Sequence, residues 1–339
     1  MAIVAVPSLA HDSQMSSRAR VVSAIQRQGA FIALAALIIF GVVRYGPSFY
    51  SVYNIFDAFL NNNTYYALIA LGMTFVIITG GIDLSVGSVA VLAAVAAARL
   101  SVYGLGPALA GAVLIGLVAG LINGGLIARF GLQPFVVTLA MLLAARGAAL
   151  TLSGNAPVMV DFAQGFTQLG TMRVGPLPLP VLITAVLYLL GVLLLNRTRF
   201  GRHVLAIGGN EEGARLAGIP VGRTLVAVYS MSGALAGLAG VFLAALSFSG
   251  SPTGAIGWEL SAIAAVVVGG TLLTGGVGSV GSTLVGVLLL GLIFVTLNFE
   301  RGQGTFQLNP FWENFIRGAF LLIVVVFQSR LARRLDVSG

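Results

Sequence analysis

The chain has 339 residues, of which 58% are hydrophobic and only 8% are charged. This balance excludes an ordinary soluble domain and indicates a membrane protein that crosses the bilayer several times. Cysteine is absent, which excludes disulfides and thiolate metal sites. All 18 basic residues are arginine, and a chain without lysine has no Walker A phosphate loop, because that loop requires Gly-Lys-Ser/Thr. Any nucleotide that drives this protein must therefore bind to another subunit.

The net charge of +8 does not indicate nucleic-acid binding, because the arginines lie beside apolar segments. Positively charged loops of membrane proteins usually face the cytoplasm. The first and last apolar segments are flanked by Arg18, Arg20, Arg27, Arg330, Arg333 and Arg334. Both termini are therefore predicted to be cytoplasmic.

A helix that crosses the hydrocarbon core of the bilayer needs about 20 apolar residues. Candidate spans lie near residues 30–45, 64–79, 87–100, 107–128, 134–152, 177–195, 224–247, 261–273, 280–298 and 313–329. The sequence thus predicts an all-α polytopic membrane protein with about ten transmembrane helices. It would consist of a cytoplasmic leader over residues 1–28, a transmembrane domain over 29–329 and a cytoplasmic tail over 330–339.

Two polar, glycine-rich stretches interrupt the apolar pattern in related halves of the chain. Residues 79–88 read TGGIDLSVGS, and residues 274–282 read TGGVGSVGS. Non-helical backbone survives at membrane depth only where protein buries it or water reaches it, and paired broken segments are typical of a transport path. The substrate path is therefore predicted to include Gly80, Gly81, Asp83, Ser85, Gly275 and Gly276.

Two charged residues lie within these apolar regions, where an unpaired charge is costly. Asp83 has two compatible interpretations: it lines the substrate path, or Asp83 or Ser85 caps the helix that begins near Val86. Arg146 lies deep in an apolar run and is predicted to form a structural ion pair with Asp83 or another buried acceptor.

A basic loop over residues 196–223 is predicted to be cytoplasmic, since an even number of predicted spans separates it from each terminus. Asn210 can cap a short helix, Glu211 and Glu212 suit its first turn, and Gly218 ends it. The order Glu212, Ala214, Gly218 is similar to the E-A-A-x-x-x-G coupling loop of ATP-binding-cassette (ABC) importer permeases, with Gly213 at the first alanine. The alternative is an ordinary basic loop with a capped helix.

Three long motifs, over residues 72–89, 197–219 and 259–286, resemble the ribose, xylose and arabinose family of bacterial sugar-importer permeases. Within that family the chain is most similar to the second permeases of galactofuranose importers. The resemblance implies a permease of the inner membrane that is not itself an enzyme. It also implies three partners: a second permease, either a paralogue or another copy, a periplasmic sugar-binding protein, and an ABC ATPase that holds ATP and magnesium. The alternative is a secondary sugar transporter in which Asp83 couples transport to an ion.

Three further residues are candidates for contact with a sugar. Asn61 and Tyr65 belong to a polar and aromatic cluster before the second predicted span, which suits sugar recognition but also suits an interfacial aromatic belt. Glu259 follows Trp258 at the start of a span. There it can favour a helix N-terminus, or it can contact the sugar or the binding protein.

Glycines recur at three- to five-residue spacing in two of the predicted spans. They are Gly111, Gly116, Gly120, Gly124, Gly233, Gly237 and Gly240. Small residues on one face of a helix allow close helix packing, so these positions are predicted to be structural. No clustered His, Asp or Glu residues indicate a metal site.

Overall fold

The computed structural model describes residues 17–302 together with Trp312, Phe315, Gly318, Ala319 and Leu322. The first half of the predicted leader, most of the last predicted span and the predicted tail lie outside the described residues. Residues 17–28, which the sequence placed in the leader, form the start of the first helix.

The first half of the described chain is helical with short connections. It contains α1 (Ser17–Tyr45), α2 (Thr64–Ile78), α3 (Val86–Leu100), α4 (Leu105–Phe130) and α5 (Pro134–Ser153). Turns of 3-10 or π geometry, Asn54–Leu60 and Asn61–Asn63, lead directly into α2.

A longer connection with two small antiparallel sheets separates α5 from the next long helix. It contains β1 (Val158–Met159), α6 (Gln168–Thr171), β2 (Arg173–Val174) and β3 (Leu177–Pro178), and β2 pairs with β3. The chain continues through α7 (Leu179–Arg197), α8 (Arg199–Gly209), α9 (Glu211–Leu216), α10 (Val221–Ser247), β4 (Ser249–Gly250), α11 (Trp258–Val268) and α12 (Val280–Gly302). Strand β1 pairs with β4, which joins this connection to the segment after α10.

Within the described chain, seven helices are long and apolar enough to cross a membrane. They belong to α1, α3, α4, α5, α7, α10 and α12. Helices α2 and α11 are apolar but shorter, with 15 and 11 residues. Helix α11 ends five residues before the predicted boundary because Gly270 has a positive φ of 92°, which stops the helix.

Helix α10 is at the centre of the fold, and its closest partner is α4. A Cβ on Gly116 would overlap the carbonyl oxygen of Gly233, and a Cβ on Gly233 would overlap that of Gly116. The contact continues where Gly120 faces the backbone of Tyr229. The predicted packing role of these glycines is confirmed, since only residues without a side chain let the two backbones approach this closely.

Other glycine contacts set the directions of the neighbouring helices. Helix α3 runs parallel to α10. A Cβ on Gly240 of α10 would overlap the carbonyl oxygen of Ala90, and a Cβ on Gly250, just after α10, would overlap that of Ala94. Helices α11 and α12 form an antiparallel hairpin, in which a Cβ on Gly269 would lie 2.5 Å from the carbonyl oxygen of Ser282. The two hairpin helices are joined by residues 269–279, the second break.

Candidate functional site

The two breaks predicted from the sequence are in direct backbone contact. The N–H of Gly276 in the second break donates a hydrogen bond to the carbonyl of Ile78, the last residue of α2, at 2.9 Å. A helix leaves its final carbonyls without partners, so this bond satisfies one of them with the backbone of a distant segment. A Cβ on Gly275 would lie 2.9 Å from the nitrogen of Gly80.

Glycine is required where the two breaks touch. Gly80, Gly275 and Gly276 have φ values of 81°, 87° and 77°, a region that L residues with a side chain rarely adopt. The breaks also differ in length. The first covers residues 79–85, whereas the second covers residues 269–279 because α11 ends early at Gly269 and Gly270.

Helix α8 of the predicted cytoplasmic loop packs onto both breaks through Gly208. A Cβ at Gly208 would overlap both the carbonyl oxygen of Ile78 and the nitrogen of Gly276. This contact of Gly208 was not predicted from the sequence. The available signal was the Gly208-Gly209 pair at the end of an otherwise helical segment, directly before the cap at Asn210.

Asp83 is buried, with 1% of its surface exposed, and its carboxylate is fully engaged within the chain. Its Oδ1 accepts bonds from the N–H of Ser85 at 3.0 Å and from the Ser85 hydroxyl at 2.6 Å. Its Oδ2 accepts a bond from the hydroxyl of Ser232 in α10 at 3.0 Å. Asp83 therefore ties the first break to α10.

The predicted side-chain cap of α3 by Asp83 or Ser85 is not formed. Ser85 occupies the N-cap position of α3, but its side chain makes no capping bond because it donates to Asp83. The Ser85 hydroxyl also accepts a bond from the Asn123 side chain at 3.0 Å, which adds α4 to this buried network. Gly81 is needed beside it because the hydroxyl of Tyr229 occupies the space a Cβ would fill.

Arg146 forms no ion pair with Asp83, and its pairing with another buried acceptor, the other predicted alternative, stays a prediction. The residue of α5 that reaches the first break is Thr138, whose hydroxyl donates to the carbonyl of Ile82 at 3.2 Å. Arg146 lies two turns further along α5 and lines a small cavity with Glu259 and Ser88. The hydrogen bonds of the Asp83 carboxylate come instead from Ser85 and Ser232.

The aromatic residues near the start of α2 pack around Trp258. Tyr65 stacks on Trp258 with ring centroids 4.5 Å apart, and Tyr66 packs against it at 4.7 Å. Trp258 is buried, as is Asn61 in the 3-10 turn before α2. Glu259 is in the first turn of α11, the position the sequence predicted for it. Its Oε2 atom lies against α3, 2.5 Å from where a Cβ of Gly87 would be.

The short helix of the loop is confirmed. Asn210 caps α9 by accepting a bond from the N–H of Gly213 at 2.8 Å, and Glu211 forms an ion pair with Arg215 at 2.8 Å. Glu212 and Gly218 are exposed. Ala214, which was predicted to contact a partner, is instead buried against Ile207 and Val221, so it fixes α9 to α8 and α10.

A residue missed by the sequence analysis dominates the outer side of α9. Leu216 has 81% of its surface exposed. With Glu212 one turn earlier, it adds an exposed apolar side chain to the helix that the sequence predicts to contact an ATPase. Little in the sequence indicates that Leu216 is exposed, because one leucine among small residues follows the ordinary pattern of an amphipathic helix.

Comparisons with known proteins agree with this architecture. Residues 55–325 match the family described as "Branched-chain amino acid transport system / permease component". The chain is 36% identical to the ribose import permease of Escherichia coli K12, over 90% of this chain and 94% of the relative. It is 39% identical to the ribose import permease of Bacillus subtilis over the same shares.

An arabinose permease is similarly close. The L-arabinose ABC transporter permease of Azospirillum brasilense is 36% identical, over 90% of this chain and 88% of the relative. No solved structure matches the chain. These relatives are transport subunits and not enzymes. The chain therefore belongs to this permease family and, within it, to the ribose, xylose and arabinose type of ABC sugar permeases.

Proposed function

We propose that this chain is one of the transmembrane subunits of an ATP-driven importer that receives a monosaccharide from a periplasmic binding protein. The observation that carries the proposal is the contact of Gly208 with both breaks. It connects a loop of the type that ABC ATPases engage to the irregular backbone inside the helical bundle. Similarity to ribose and arabinose permeases supports the substrate class.

The orientation follows from the charge distribution and the position of the loop. Helices α8 and α9 face the cytoplasm, because the loop carries Arg197, Arg199, Arg202, Arg215 and Arg223. We expect both termini on the same side, because arginines also flank the first and last apolar segments. In this arrangement the short helices α2 and α11 also cross the membrane, beside the seven longer apolar helices of the described chain.

The loop transmits motion as one unit. Ile207 of α8, Ala214 of α9 and Val221 of α10 form a buried cluster, so a force on α9 also moves α8. Gly208 is the residue after Ile207, and it presses on the bonded pair Ile78 and Gly276. ATP binding in the partner would displace α9, shift this pair and change the packing of α2 against the hairpin of α11 and α12.

The partners are an ABC ATPase, a binding protein and a second permease. ATP and magnesium belong to the ATPase, since a chain without lysine cannot form the phosphate loop. The second permease is a paralogue, as in galactofuranose importers, or another copy of this chain. Purification of the intact complex, with the permease stoichiometry read by native mass spectrometry, distinguishes a heterodimer from a homodimer.

The sugar is to be identified by uptake. Ribose, L-arabinose and galactofuranose are the candidates, the first two from the relatives and the third from the sequence resemblance. Membrane vesicles with the complete transporter should accumulate one of them when supplied with ATP and the binding protein. If none of these sugars is accumulated by an ATPase-active complex, the proposed substrate class is rejected.

An ion-coupled transporter is the weaker candidate. It requires Asp83 to bind a proton or a metal ion on the transport path. In the structure the carboxylate is enclosed by hydroxyl and amide donors from Ser85 and Ser232, which is the environment of a structural anchor. The relatives are also ABC permeases.

A further inference from the structure

A small polar cavity lies between α5, the start of α3 and the segment before α11. It has a volume of about 30 Å³, and Ser88, Leu142, Arg146, Pro252, Gly257 and Glu259 are among the residues that line it. Arg146 and Glu259 both line it without a direct ion pair, since their charged atoms are not within 4.0 Å of each other. None of the contacts described above for the two breaks involves this cavity.

Both charges lie at the middle depth of the helical bundle. Arg146 is about 18 Å from the start of α5 and about 10 Å from its end, at 1.5 Å per residue. Glu259 lies against Gly87. Along the chain, Gly87 lies between Asp83, which contacts Ser232 of α10, and Ala90, which contacts Gly240 of α10. That position is level with the middle of α10. A helical side chain points towards the helix N-terminus, so Arg146 is directed away from the nearer end of α5.

Charges at this depth mark a functional path more often than a lipid-facing surface. A charged side chain at the bilayer centre costs roughly 2.5 kcal/mol or more, and such residues usually face a water-filled cavity or pair directly. Arg146 is exposed on the isolated subunit and does not form a direct pair. Its face of α5 must therefore be hydrated or covered by a polar surface when the protein is in a membrane.

The chemistry of the cavity suits a neutral compound with many hydroxyl groups. A carboxylate accepts hydrogen bonds and a guanidinium donates them, and a hydroxyl group can do both. One negative and one positive group together leave no net charge, so the wall neither attracts nor rejects ions by charge. The hydroxyl of Ser88 adds a third polar group on α3.

We propose that this cavity is the mid-membrane part of the substrate path, where Glu259 and Arg146 bind hydroxyl groups of the transported sugar. The inference rests on the proposed function, because it assumes that the cargo is a monosaccharide. A volume of about 30 Å³ holds water but no sugar, since pockets for small molecules occupy roughly 300–1,000 Å³. The present conformation is therefore closed here, and transport requires α5 to separate from the segment before α11.

The natural absence of cysteine allows a direct test. Leu142→Cys and Ser88→Cys place single thiols on the cavity wall, and Ala144→Cys places one on the side of α5 opposite Arg146, where Ala144 is exposed. The complete transporter in proteoliposomes is treated with a charged methanethiosulfonate reagent during ATP turnover. Only a thiolate in contact with water reacts. We expect labelling at positions 88 and 142, at least tenfold less labelling at position 144, and protection by whichever of ribose, L-arabinose and galactofuranose is transported.

Each variant is first shown to support uptake, so that a failure to fold is recognised. Absence of labelling at both cavity positions during active uptake would overturn the inference and leave the proposed function intact. Labelling without protection by the transported sugar would also overturn it, since the cavity would then be hydrated without binding cargo. If ATP drives no sugar uptake even in the unaltered complex, the proposed function itself fails.

A second measurement separates sugar binding from a structural role. Glu259→Gln and Arg146→Gln should each raise the sugar KM roughly tenfold, the effect of losing one charge-assisted hydrogen bond. A structural pair would behave differently: thermal stability would fall and KM would not change.

Discussion

The N–H of Gly276 donates to the carbonyl of Ile78 at 2.9 Å, and this bond joins two segments that are far apart in the chain. Gly208 of α8 lies against both this carbonyl oxygen and this nitrogen. A loop at the end of the bundle, the first break and the second break thus share one point of backbone contact.

Gly208→Ala should uncouple transport. The added Cβ would overlap the carbonyl of Ile78 and the nitrogen of Gly276, so α8 must move away from the breaks. We expect ATP-dependent uptake to fall at least tenfold with normal membrane insertion. Gly209→Ala is the matched control, because nothing lies within 4 Å of its Cβ position. Equal uptake by the two variants would show that the contact does not transmit motion.

Asp83→Ala and Asp83→Asn should differ in stability. Alanine leaves the hydroxyls of Ser85 and Ser232 without their acceptor in a buried site, at a cost of about 1–3 kcal/mol for each unsatisfied group. Asparagine keeps one acceptor oxygen for Ser85, and its amide group can donate to the Ser232 oxygen. Thermal unfolding in detergent should show a clear loss for alanine and a small one for asparagine. Loss of uptake by a stable Asp83→Asn protein would instead favour an ion-coupling role.

Gly116→Ala should loosen the pairing of α4 with α10. Its Cβ would overlap the carbonyl oxygen of Gly233, and overpacking of this kind typically costs about 1–3 kcal/mol. Gly125 lies on the same helix with nothing within 4 Å of its Cβ position, so Gly125→Ala serves as the control. A lower thermal midpoint is expected for Gly116→Ala alone. Similar midpoints for both variants would contradict the packing role.

Glu212→Arg and Leu216→Ser should weaken ATPase binding and leave the permease folded. Both side chains are exposed on α9 and touch none of the groups that fix this helix to α8 and α10. Recovery of the ATPase with the tagged permease should fall at least fivefold. The control Asp161→Arg makes the same charge reversal in the connection between α5 and α7, at the other end of α7 from the loop. Undiminished recovery with both loop variants would exclude α9 as the docking surface.

The helices, the glycine-mediated packing and the capped helix α9 were predictable from the sequence because each depends on a local pattern. Apolar length sets the spans, glycine spacing marks the contact of Gly116 with Gly233, and Asn210 carries its own capping signal. Both breaks were also recognised from their glycines, although the early end of α11 was not. A second glycine pair, Gly269 and Gly270, stops that helix before the predicted motif begins.

The partners of the charged residues were not predictable. Which residue faces Asp83 depends on how α10 and α5 are positioned beside the break. The relative positions of these helices along their axes cannot be read from the sequence. Ser232 is one hydroxyl in an apolar helix, and Thr138 rather than Arg146 reaches the break. Gly208 was missed for the same reason, since its role exists only in the contact with two distant segments.

The central claim is tested most directly by sugar uptake into proteoliposomes that contain this chain, a second permease, the ABC ATPase and the binding protein. The account predicts uptake that requires internal ATP, the ATPase and the binding protein together, and that is lost with Gly208→Ala. Uptake by this chain alone under an ion gradient, without ATP or partners, would contradict the account and make Asp83 the leading coupling residue.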